Sequence, residues 1–257
     1  MELKKTPLII AIAGKGGVGK TIITTLIAKA ISTSYKFKLL LIDADPTHPH
    51  LSKMVQLVPE KSLEKIRSEL IDKSISKEAD IQTIAETIDF EVYSAIKESK
   101  GFSLFSIGQP EGPGCFCPSN ALLRKVIESI SNDFDVVLID CEAGLEQINR
   151  MVIRSVDIIL IVSDISLRSI ETAKSISESA KKFTQYRKIG VIINRVKGDI
   201  NIILDKLKEY DLPLFALIPE DELITKFDLE GRALIKIPED SVSFQKITDN
   251  IEKLLEI

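Results

Sequence analysis

The chain has 257 residues, 44% of them apolar, and a formal net charge of −4, which is enough apolar material for one sizeable core. No apolar stretch reaches the roughly 18 residues of a membrane-spanning helix. The acidic balance disfavours non-specific nucleic-acid binding, in which Lys and Arg neutralise phosphates.

Short apolar runs punctuate the sequence at Leu8–Ala13, Leu39–Ile42, Phe102–Ile107, Val136–Ile139, Ile158–Val162, Ile189–Ile193 and Leu214–Ile218. Most are apolar at successive positions, the pattern of strands covered on both faces. Helix-period segments lie between them. One face carries Ile22, Ile23, Leu26, Ile27 and Ala30; a second carries Leu122, Leu123, Val126, Ile127 and Ile130; a third carries Ile170, Ala173, Ile176, Ala180 and Phe183. This alternation predicts an α/β fold, a doubly wound, mostly parallel sheet flanked by helices, in one domain spanning 1–257. Residues 60–100 are charged and helical in period, without a clear strand, and read as a helical insertion at the sheet edge. The N-terminus enters the first apolar run without the pattern of a signal peptide, so a cytoplasmic location is expected.

The first run opens into Gly14-Lys15-Gly16-Gly17-Val18-Gly19-Lys20-Thr21, which fits G-x-x-x-x-G-K-[ST] between a strand and a helix. Glycines let consecutive backbone N–H groups face phosphate oxygens, and the helix N-terminus adds partial positive charge. Lys20 is expected at the β- and γ-phosphates of ATP and the Thr21 hydroxyl on Mg²⁺. Two further carboxylates end apolar runs, where they face the same crevice. Asp140, after Val136–Ile139, has the arrangement in which a carboxylate holds a Mg²⁺-bound water. Asp43, in Asp43-Ala44-Asp45-Pro46, is expected to act on the same ion through water.

A plain phosphate loop does not require Lys15. The run from Lys15 to Thr21 resembles the deviant Walker A loop of the MinD/ParA/nitrogenase-iron-protein superfamily of P-loop NTPases. That resemblance implies that Lys15 reaches across a homodimer to the partner's nucleotide and that Asp45 orients the attacking water. It also implies that Asn194 pairs with adenine and that the loop from Pro219 to Asp221 closes over the base. Asn194 also reads, on residue type alone, as a turn-capping asparagine. Ile22 stands where many members have Thr, at the cost of one hydrogen bond to the α-phosphate.

Three cysteines do not make a disulfide framework. Cys115 and Cys117 sit in Gly108–Asn120, a segment rich in Gly and Pro ahead of a helical pattern whose N-terminus would lower their thiol pKa. Accessible thiols of that kind are metal ligands or a redox pair. Thiolate-bound Zn²⁺ prefers four donors, and Ni²⁺ takes tetrahedral or square-planar sets. One C-x-C supplies two donors and a two-fold dimer four, so the sequence suggests one metal shared between subunits. Gly108–Arg124, Asp140–Glu146 and Ser163–Ala173 are similar to the corresponding segments of CooC-type accessory ATPases, with Glu142 where MinD-like proteins usually have Pro. This resemblance, weakest over residues 55–100, implies an ATP-dependent metallochaperone that delivers nickel to a client enzyme of the carbon monoxide dehydrogenase or acetyl-CoA synthase type.

Cys141, following a strand, reads as a small buried residue. His48 and His50, the two histidines of the chain, lack a nearby third donor. Two other functions stay open. An iron–sulfur ATPase like the nitrogenase iron protein needs another cysteine a few residues past Asp140, and Leu145–Asn149 holds none. A MinD/ParA-like positioning ATPase bound to membranes needs a basic amphipathic helix. The segment Gln245–Ile257 has apolar Ile247, Ile251, Leu254 and Leu255 but two lysines against three acids, so it is expected to pack on its own domain, with no stable membrane association.

Overall fold

The computed structural model describes residues 6–45, 50–75, 90–109, 128–141 and 155–256. Their frame is an eight-stranded sheet of order β3-β4-β2-β5-β1-β6-β7-β8. The strands are β1 (Leu8–Gly14), β2 (Leu39–Ala44), β3 (Lys97–Ser99), β4 (Phe102–Ser106), β5 (Val136–Cys141), β6 (Ser155–Ser163), β7 (Gln185–Val196) and β8 (Leu214–Pro219). All neighbours pair in parallel except β3, which runs antiparallel to β4.

Each apolar run read from the sequence forms one of the parallel strands. The reason is visible along β1. Ile10 and Ile12 enter the core on one face of the sheet, whereas Ala11 and Ala13 enter the core on the other. Side chains alternate across a strand, so a strand covered on both faces must be apolar at every position. The first face is covered by α1 (Lys20–Ser34) and by the C-terminal helices α7 (Val242–Thr248) and α8 (Ile251–Leu255). The second is covered by α4 (Leu167–Phe183) and α5 (Asn201–Glu209). Two shorter helices, α2 (His50–Val55) and α3 (Leu63–Ile75), follow β2, and α6 (Glu222–Leu229) follows β8.

Three local expectations are corrected, at β3, at Phe183 and along α1. Strand β3 has no apolar signal: it is three polar residues joined to β4 by the two-residue turn Lys100–Gly101, with Gly101 at φ 95°. It blunts the sheet edge within the region read as a mostly helical insertion. Phe183, placed on the buried face of α4, is 68% exposed, because the neighbouring start of β7 (Gln185, Arg187, Lys188) is polar and exposed. The C-terminal segment is two short helices around Asn250, and its Ile247, Ile251, Leu254 and Leu255 are buried, as a segment packed on its own domain requires. Helix α1, read as amphipathic, is buried on most sides, including Thr24 and Thr25, because α2 and α7 lie over its outer face.

The last residue of β1 admits only glycine. Gly14 has φ 148°, and a Cβ there would stand 2.2 Å from the carbonyl oxygen of Val162 on β6. The phosphate loop therefore leaves the sheet pressed against its neighbouring strand. Gly14→Ala should lower stability by about 1–3 kcal/mol or prevent folding, the scale of overpacking against an atom that cannot yield; urea unfolding measures it.

Candidate functional site

Strand β1 is the switch point of the sheet. The chain leaves it through α1 toward β2 on one side, and its other neighbour, β6, leads away on the opposite side. Ligands of open α/β sheets bind at such points, beyond the C-terminal strand ends. Asp43 on β2 lies level with Asp140 on β5, and Asp140 lies level with Ile12 on β1. The register thus brings both predicted carboxylates beside the first residues of the loop.

Helix α1 begins at Lys20 behind Gly19, whose φ of 93° turns the loop into the helix. Its first turns aim two hydroxyls at Asp140. Thr21 hydrogen-bonds this carboxylate, and the buried Thr24 hydroxyl lies 3.2 Å from Asp140 Oδ1. Lys20 folds back so that Nζ donates to the carbonyl of Lys15 at 3.2 Å. Asp43 is 1% exposed. One of its oxygens accepts the backbone N–H of Asp45 at 3.2 Å. The other, Oδ2, has no partner among the described residues. Asp45 itself, at the end of β2, is half-buried.

Burial pushes the Asp43 carboxyl up to about 7, and the charge of Asp140 adds to the rise. Burial likewise raises Asp140 to about 6, against the Thr21 hydrogen bond and the charge of Lys20. Two adjacent buried carboxylates with an unsatisfied oxygen need either protons or a cation. Oxygen donors from two carboxylates and a threonine suit Mg²⁺, a hard ion that keeps several waters and shares its shell with phosphate. The residues present therefore fit the ion that the loop motif implies.

The other wall of the loop comes from β7. Its pairing with β8 shifts register between Ile193 and Val196, so Asn194 and Arg195 stand out of the ladder as a bulge. Asn194 is 3% exposed and its Nδ2 donates to the carbonyl of Val18 at 2.9 Å. Arg195 Nη2 donates to the carbonyl of Gly17 at 2.6 Å. Nearby, at the end of β6, Asp164 accepts from the Ser166 hydroxyl at 2.6 Å and its amide at 3.0 Å. Partial burial opposes its charge, but these bonds and the charges of Arg195 and Lys15 outweigh it and hold the carboxyl below its usual range. Sequence reasoning missed Arg195, Thr24 and the pairing of Asp164 with Ser166. Thr24 alone carried a signal, as a polar residue amid an apolar helix.

Two expected site residues have other partners. Asp221 is the N-cap of α6, accepting from the Leu223 N–H at 2.9 Å, and it also accepts from the Ser241 hydroxyl at 2.6 Å and the Ser243 N–H at 3.0 Å. The carbonyl of Pro219 accepts the Ser243 hydroxyl at 3.0 Å. The segment expected to close over a base is thus tied to α7, and the Asp221 carboxylate is turned into the fold. Cys141 is buried, and burial drives its thiol far above the usual range, which suits a small core residue and not a ligand. His50 is exposed at the start of α2. Cys115, Cys117 and His48 lie outside the described residues.

Residues 9–235 match the family described as the CobQ/CobB/MinD/ParA nucleotide binding domain. The chain belongs to this family. It is 34% identical over 253 residues to an uncharacterized ATP-binding protein of Methanocaldococcus jannaschii, with 96% of this chain and 98% of the relative covered. It is 30% identical over 234 residues to the carbon monoxide dehydrogenase accessory protein CooC of Rhodospirillum rubrum, covering 86% and 87%. Among solved structures, the cell division ATPase MinD of Pyrococcus furiosus superposes with a TM-score of 0.69 at 26% identity, covering 96% and 99%. The fold expected from the sequence is that of this family, and the protein is an ATPase. Among the described residues no helix is long and apolar enough to cross a membrane.

The buried carboxylates make a pH-dependent signature. The native state holds the Asp43 proton more tightly than the unfolded chain, where the pKa is near 3.9, so stability falls as pH rises from about 4 through about 7. Asp43→Asn should therefore stabilise the Mg²⁺-free protein at pH 8 by about 2–4 kcal/mol, with the gain gone near pH 4, while ATPase activity falls. Asp221 behaves oppositely. Burial opposes its charge, but the hydrogen bonds from Ser241, Ser243 and Leu223 prevail and lower its pKa, so its contribution is present above about pH 4 and lost as pH falls below that. Asp221→Ala should cost about 2–4 kcal/mol at pH 7, and the deficit should shrink toward pH 3 in urea titrations.

Proposed function

We propose that this ATPase is a metallochaperone whose nucleotide state governs a homodimer holding one metal, nickel by preference over zinc, between C-x-C segments for delivery to a client nickel enzyme. One observation carries this reading: the Cys115-Phe116-Cys117 pair occurs in a chain that also has Lys15 in its phosphate loop. The first provides two thiolates per subunit and the second a reason for two subunits to meet. The likeness to the CooC protein, whose name makes it an accessory protein of carbon monoxide dehydrogenase, supports the same direction.

In this mechanism the N–H groups of Gly16 to Thr21 and the Lys20 ammonium bind the phosphates of ATP. Thr21 and Asp140 hold Mg²⁺, with Asp43 acting through water. When bound, Mg²⁺ offsets the charge of the phosphates and of the paired carboxylates. Asp45 orients the attacking water, Asn194 reads adenine with the part of its amide that Val18 leaves over, and the Pro219–Asp221 segment offers the base its backbone. Lys15 contacts the nucleotide of the partner subunit. ATP closes the dimer and sets the metal geometry; hydrolysis to ADP reopens it. A membrane-positioning role draws no support from the C-terminal segment, whose apolar residues are buried against the domain.

The test is metal content and molar mass of the purified protein loaded with Ni²⁺, with ADP or ATP. One metal per two chains is expected in ATP, lost in the Cys115→Ala/Cys117→Ala variant. Unchanged metal content in that variant overturns the proposal. Lys15→Ala should bind ADP normally yet stay monomeric in ATP.

A further inference from the structure

Arg195 has a backbone conformation that does not suit its side chain. Its φ is 54°, in the left-handed region that suits glycine and that L residues other than Asn and Asp avoid. Such conformations persist where the surrounding structure requires them, and they gather at functional sites. The requirement here is geometric. Along a regular strand, Asn194 and Arg195 would point to opposite faces. In the bulge both reach the same loop, at consecutive carbonyls: Arg195 at Gly17 and Asn194 at Val18.

A peptide unit is planar and trans, so its C=O and N–H point in opposite directions. Holding the Gly17 oxygen fixes where the Val18 N–H points, and holding the Val18 oxygen fixes the Gly19 N–H. Gly17 has φ 79° with open space where a Cβ would be, so on its own the peptide unit that follows is free to turn over. A turned unit would present an oxygen to an anion in place of a hydrogen. We infer that Arg195 is a positioning residue for nucleotide binding: together with Asn194 it clamps two successive carbonyls of the phosphate loop outward, so that the paired N–H groups face the phosphates. Asp164 supports the arrangement by placing a negative charge beside Arg195 and Lys15. The inference rests on the nucleotide site alone and is independent of any metal cargo.

The strain supplies a test that separates positioning from packing. Arg195→Gly removes the clamp and relieves the φ, as does Arg195→Asn, whose residue tolerates this region. Thermal unfolding of the nucleotide-free protein and ADP binding by calorimetry are compared with wild type. Both variants are expected to melt at or above the wild-type temperature yet to bind ADP about tenfold more weakly, the scale of one charge-assisted hydrogen bond. Arg195→Lys, which keeps a charged donor, should recover part of the affinity. ADP binding equal to wild type in Arg195→Gly and Arg195→Asn would overturn the inference. So would a loss of melting temperature that tracks the loss of affinity in both, since that is the behaviour of a packing residue. Wild-type protein that fails to bind ADP would instead refute the nucleotide site itself.

Discussion

Two carboxylates that cannot escape one another organise this molecule. Asp43 and Asp140 end neighbouring parallel strands at the same level, and the strand between Asp140 and β6 opens into the phosphate loop. Both are buried, and burial is the largest cause of the raised pKa of each, with neighbouring carboxylates adding to it. Among the described residues Asp43 is 1% and Asp140 3% exposed. The surrounding groups are compensations: hydroxyls from Thr21 and Thr24, the Lys20 charge, and the Asp45 and Leu51 amides. One oxygen of Asp43 still lacks a protein partner among the described residues. In the proposed function, nucleotide-bound Mg²⁺ would meet that need and couple nucleotide binding to the electrostatics of the sheet itself.

The loop facing these carboxylates is shaped from the opposite side. Gly14 presses on Val162, Gly19 sits under the Asn194 amide, and the β7 bulge ties down the carbonyls of Gly17 and Val18. An anion site made of backbone N–H groups needs such supports, because glycines adopt the needed conformation and many others equally well. On the proposed reading, anion affinity resides in the loop and the orientation of the loop resides in β6 and β7.

The strands were legible in the sequence because burial on both faces demands uninterrupted apolar residues, a strong local signal. The placement of Asp43 and Asp140 beside the loop was legible because carboxylates that end apolar runs of one parallel sheet come level at its C-terminal edge. Strand β3 was not, since three polar residues at an edge need only backbone pairing. Arg195 was not, because a bulge depends on how β7 meets β8, and nothing in Asn194-Arg195-Val196 marks the left-handed turn. Asp221 carried a signal that was read differently: an aspartate directly before a helical segment is an N-cap pattern, and the structure uses it so.

In the proposed function, nucleotide and metal bind one dimer through different residues, and linkage then requires each to change the affinity of the other by the same factor. The most direct measurement is the Ni²⁺ dissociation constant in the presence of ADP and of a non-hydrolysable ATP analogue, for wild type and Lys15→Ala. The account predicts tighter Ni²⁺ binding with the ATP analogue, and no such difference in Lys15→Ala. Equal Ni²⁺ affinity in both nucleotide states of the wild type would contradict it.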